Sequence, residues 1–142
     1  MSQLIVRGHE SQPALELRGL GPNGAPTRMV VCAGQLDVCT DGTEGPARVA
    51  STLRFLVPGG PTLSTTCDPA MAHASVIVHP LGVTPISMSD ARVLVCGARA
   101  AFVADGRGGV ALGVEVSLEG LYLSPPASIR LAYQVTATIP EA

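Results

Sequence analysis

The segment Ile129-Arg-Leu-Ala-Tyr-Gln-Val-Thr-Ala-Thr-Ile139 decides the fold. Ile129, Leu131, Tyr133, Val135, Ala137 and Ile139 alternate with Arg130, Ala132, Gln134, Thr136 and Thr138. Successive side chains on a strand point to opposite faces, so this spacing predicts a strand with one face buried and the other wet. Upstream, Val110–Leu123 places Leu112, Val114, Val116 and Leu118 on one side and Gly113, Glu115, Ser117 and Glu119 on the other. The pattern shifts at Gly120 before Leu121 and Leu123, which predicts a bulge or bend there.

The run Ala91–Ala104 joins this strand through Asp105-Gly-Arg-Gly-Gly109, and two strand-like runs about a short Gly-rich loop predict a β-hairpin. Further strands are expected at Gln3–Arg7, Ala14–Leu20, Arg28–Ala33, Leu36–Thr40, Arg48–Val57, Leu63–Cys67 and Ala74–His79. No segment carries helix start and stop signals around an amphipathic stripe; Asp68–Ala74 has room for one short turn. No internal repeat is visible, and Pro58-Gly-Gly-Pro61 reads as a loop within one core. The expectation is all-β: a single antiparallel β-sandwich or jelly-roll-like barrel of about 8–10 short strands over residues 1–142.

Composition narrows the function by exclusion. The chain has no lysine and no tryptophan, and its aromatic residues are Phe55, Phe102, Tyr122 and Tyr133. Without lysine there is no P-loop phosphate ligand, no Schiff-base amine and no lysine general base. Hydrophobic residues are 46% and charged residues 14% of the chain, a balance that folds rather than stays disordered. Nine arginines against eleven acids give a net charge of -2 without a basic stripe, so nucleic acid is not an expected partner. The first ten residues lack a basic and then apolar leader, and Pro69–Ser89, though free of Asp, Glu and Arg, is broken by prolines and histidines. Neither a secretory signal nor a membrane span is expected, and a virion or the cytoplasm is the expected location.

Gly19-Leu-Gly-Pro-Asn-Gly24 matches G-x-G-x-x-G in letters, but Pro22, Ala25 and Pro26 stand where a phosphate-binding helix would begin. A loop between strands is the better reading, and no cofactor is expected. Cys32, Cys39, Cys67 and Cys96 lack the paired spacing of a zinc ribbon. A tight hairpin of Arg28–Cys32 with Leu36–Thr40 would bring Cys32 opposite Cys39 as a disulfide; the competing expectation is buried free thiols. His73 and His79 share strand parity with Cys67, yet Pro69 interrupts the run and no fourth ligand is evident, so no metal site is assigned.

No G-x-S-x-G motif occurs, and Ser87-Met-Ser-Asp90 reads as a turn. Asp41-Gly-Thr-Glu-Gly45 and the Asp105 loop lack the alternating acids of a calcium loop. Glu115 and Glu119 read as the wet face of a strand, and no catalytic residue is assigned. The expected function is a non-enzymatic structural or assembly protein that associates with itself or decorates a larger shell such as a virion capsid or tail. The alternatives are a β-barrel or sandwich binding module for a small ligand or partner protein, and a small hydrolase or metal enzyme in which two of Asp37, His73, His79 and Glu115 converge.

Overall fold

The computed structural model describes residues 4–21, 24–40, 48–63, 71–84, 92–121 and 127–140. Nine strands run through them: β1 (Leu4–Ser11), β2 (Leu15–Leu20), β3 (Pro26–Thr40), β4 (Arg48–Leu56), β5 (Thr62–Leu63), β6 (His73–Thr84), β7 (Arg92–Ala104), β8 (Val110–Leu121) and β9 (Ser128–Pro140). There is no α-helix among the described residues.

The strands form two antiparallel sheets in a sandwich-like arrangement. In the first, β3 and β9 are central and β6 lies beyond β9, while β1 and β2 follow one another along the far edge of β3. In the second, β8 is central, with β7 on one side and β4 then β5 along the other. The Leu4 amide of β1 donates to Ser51 Oγ of β4 at 3.0 Å, tying one sheet to the other at an edge.

The core sits between the sheets where the alternation of β9 and β8 places it. Ile129, Leu131, Tyr133, Val135, Ala137 and Ile139 are all buried on β9, as are Leu112, Val114, Val116 and Leu118 on β8. The ladder sets Val38 opposite Ile129, Leu36 opposite Leu131 and Cys32 opposite Val135, so apolar side chains meet directly across the central strands. Each such pair is a unit of sheet stabilisation. Thr40 is the only buried polar residue among those described. Its hydroxyl accepts from the Ala127 amide at 3.1 Å, and its own amide donates to the Ala127 carbonyl.

Three expectations need correction. The strands are not uniformly short: Arg28–Ala33 and Leu36–Thr40 are parts of one 15-residue strand, β3, because the chain stays extended through Gly34 and Gln35. Cys32 and Cys39 therefore lie on opposite faces of that strand rather than across a hairpin, and both are free thiols. The register also stays continuous through Gly120, which pairs with Val49 on one side and Val93 on the other. The irregularities lie instead at Val6/Gly8 of β1, Pro80/Gly82 of β6 and Val95/Gly97 of β7.

The β7–β8 hairpin forms as expected, closed by a 3.0 Å bond from the Asp105 amide to the Gly109 carbonyl. Gly106 and Gly108 have φ of 81° and 84°, which residues with a side chain rarely adopt. Asp105 Oδ1 accepts from the Arg107 and Gly109 amides at 2.7 and 3.1 Å. Those two bonds, Arg107's first, hold its carboxyl below the usual carboxylate range. Gly19–Gly24 is the β2–β3 turn and leads into a strand, not a helix. The Asp41–Gly45 and Ser87–Asp90 turns, Cys67, Asp68 and Tyr122 lie outside the described residues.

Candidate functional site

The outer faces of the two sheets differ in chemistry. On the second sheet, Glu115 of β8 is directly opposite Arg54 of β4 and Arg99 of β7. Arg54 Nε donates to Glu115 Oε2 at 2.7 Å and Arg99 Nη2 lies 3.2 Å from Oε1. The Arg54 bond, then that of Arg99, lowers the Glu115 pKa. Beyond this triplet is an open cleft of about 670 Å³, lined by Leu56, Ala101, Val103 and Gly113. Gly113 leaves its floor low, since a Cβ there would come within 2.8 Å of Val103 Cγ2. One end of the cleft is apolar and the other carries two guanidiniums on one carboxylate.

On the first sheet, Arg130 Nε donates to Asp37 Oδ1 at 3.1 Å, again between residues directly opposite. Further along the same face Leu15 and Leu17 of β2 lie beside Val31 and Met29 of β3. Every residue of β2 is exposed. Leu15, Leu17 and Leu20 are 59%, 53% and 75% exposed, and Met29 is 41% exposed. Among the described residues β2 has β3 as its only ladder partner, so its other edge presents unpaired amides and carbonyls. An exposed apolar edge of this kind invites pairing with another chain.

Between the sheets, one polar contact is embedded in the core wall. Tyr133 of β9 is opposite Gly34, and with no side chain there the phenol crosses β3 to reach His9 of β1, whose Nε2 is 2.6 Å from Tyr133 Oη. Phe55 of β4 completes the cluster, with ring centroids 5.3 Å from His9 and 5.2 Å from Tyr133. The bulge at Val6/Gly8 turns His9 to the same side as Leu36; without it the strand's parity would send the ring outward.

Burial favours the neutral form of both groups, lowering the His9 pKa from 6.5. Burial first, then the neighbouring Cys32, pushes Tyr133 up to about 12. The unfolded chain therefore binds a proton at His9 before the folded one does as pH falls, and releases one from Tyr133 before the folded one does as pH rises. Stability is expected to fall as pH drops below about 6.5 and as it rises above about 10. Thermal melts across pH check this, and His9→Gln should flatten the acid limb alone.

The four groups considered for catalysis do not meet. His73 and His79 are exposed on the outer side of β6, Asp37 lies on the same sheet two strands away, and Glu115 is on the outer face of the other sheet. None of the described clefts is lined by two of them. No group of three metal-ligating side chains occurs among the described residues. No described helix is long and apolar enough to cross a membrane. Sequence reading placed a strand at Ala14–Leu20 but missed its exposure. The available signal was Leu15-Glu-Leu-Arg18, in which neither alternating set is paired with a second apolar strand of comparable length nearby in sequence.

The fold and these surfaces define the class: an antiparallel two-sheet β-sandwich with one exposed apolar edge. No family model, curated protein or solved structure matches the chain.

Proposed function

We propose that this chain is a non-enzymatic structural module that associates with copies of itself or decorates a larger shell, such as a virion capsid or tail, through its first sheet. The observation that carries the reading is β2: an edge strand with all six residues exposed, contiguous with Met29, on a chain whose core is otherwise well covered. Leaving three leucines and a ladder edge in water is unfavourable for an isolated monomer, and burial between subunits removes that cost. Light scattering after size exclusion, over a wide concentration range, is expected to give a mass above that of the 14.5 kDa chain. A mass that stays at one chain throughout, with no co-purifying particle, overturns the reading.

The cleft beside Arg54 and Arg99 favours a second reading, a binding module for a small amphipathic anion. Its apolar lining from Leu56 and Val103 would hold a hydrocarbon part while a guanidinium meets the charge. Chemical-shift changes confined to Ala101, Val103 and Gly113 on titration with a medium-chain carboxylate would support it, and their absence at millimolar ligand would remove it.

A further inference from the structure

We infer that the β2 edge pairs with the β2 edge of a second copy of this chain, antiparallel about a two-fold axis at Leu17. The inference rests on the self-association proposed above and specifies its interface.

The argument is one of register. A two-fold axis perpendicular to the sheet keeps each face on its own side, so directly opposite residues must share parity, and the two residue numbers of every pair add to one even sum. With Glu16 on the axis, Glu16 meets the partner's Glu16. With Arg18 on the axis, two arginines meet. With Leu17 on the axis, Glu16 lies opposite Arg18 of the partner subunit, Arg18 opposite Glu16 of the partner subunit, and Leu15 opposite Gly19 of the partner subunit. Axes at Leu15 or Gly19 leave the charges against Ala14 or Leu20. Only the Leu17 register is charge-complementary, and symmetry makes each pair twice.

Both charges are available for it. The Glu16 and Arg18 side chains are 41% and 73% exposed, and their contact within one chain is a loose 3.7 Å. Arg28, directly opposite Arg18 within the chain, lies 3.7 Å from Glu16 and leaves this corner of each copy with two guanidiniums to one carboxylate. The other face of the joined strands would bring Leu17 against its symmetry mate, beside Met29 of each copy. Joining the edges fuses the two β2-bearing sheets into one continuous sheet across the axis. So short an edge buries less than a standard interface, so the dimer is expected to be reversible and concentration-dependent.

Sedimentation equilibrium of the intact chain, Glu16→Arg, Arg18→Glu and the double variant tests it. Either single reversal sets like charges opposite each other twice and should weaken dimerisation about ten-fold or more, whereas the double variant restores opposite charges and most of the affinity. Because Glu16→Arg also adds a cation beside Arg28, a second readout is needed. Leu17→Cys should cross-link to a disulfide dimer under mild oxidation, against the unsubstituted chain as control, since directly opposite strand residues have the Cα separation a disulfide requires. An oligomer indifferent to both reversals, with Leu17→Cys uncross-linked, overturns the edge while leaving self-association intact. A chain monomeric at every concentration overturns both.

Discussion

Gly34→Ala is expected to destabilise the protein by about 1–3 kcal/mol, although adding a methyl group to a strand glycine ordinarily stabilises. A Cβ at Gly34 would lie 2.6 Å from Tyr133 Cζ and 2.6 Å from the Glu10 carbonyl oxygen. Neither neighbour can give way cheaply. Tyr133 is 3% exposed, wedged between His9 and Phe55, and Glu10 is backbone held in the β1–β3 ladder. For a chain of this length the melting temperature should drop by roughly 3–12 °C. A double-mutant cycle separates the two clashes: in a Tyr133→Leu background the alanine should cost less, but still something, because the Glu10 carbonyl remains. An alanine variant as stable as the parent would show that the phenol does not cross β3 at this point.

Leu131→Ala is expected to have the largest effect of any single truncation, about 2–5 kcal/mol, read as a fall of roughly 6–20 °C in melting temperature. Leu131 is fully buried at the centre of β9, directly opposite Leu36 on β3 and Pro80 on β6. Flanked by strands on both sides and covered by the second sheet, the site cannot collapse without moving the ladder, so the cavity term adds to the lost transfer energy. Ile77→Ala on β6, whose side chain is 58% exposed, should change stability by only about 0.5 kcal/mol and serves as the control. Similar costs at the two positions would contradict the sandwich.

Much of this follows from alternation in the chain. The odd residues of β9 and the even residues of β8 are buried as their spacing requires, and the Asp105–Gly109 hairpin forms where two apolar runs meet a Gly-rich loop. The turn expected between Arg28–Ala33 and Leu36–Thr40 failed for a reason also present in the sequence. Val30, Cys32, Leu36 and Val38 keep a single even parity across Gly34, and an unbroken period of two is the mark of one strand, not of two joined by a turn. Glycine there punctuates nothing; it clears the path of a phenol.

The candidate surfaces were less legible. Glu115 was readable as a wet-face residue, but its placement between Arg54 and Arg99 depends on the registers of β4 and β7, whose partners lie 61 and 16 positions away in the chain. His9 was hidden by a bulge: one extra residue near Arg7 reverses which side of β1 the ring takes, and no local spacing announces it.

By itself the sequence determined that this is a two-faced, turn-rich β protein with a Val- and Leu-lined core, because side-chain alternation is a local property of the extended chain. Only the tertiary structure decided which strand is left at the edge. Whether Leu15 and Leu17 are covered depends on which strands lie beside and above β2, and that is settled by long-range pairing of β3 with β9 and β1, not by anything within the six residues of β2.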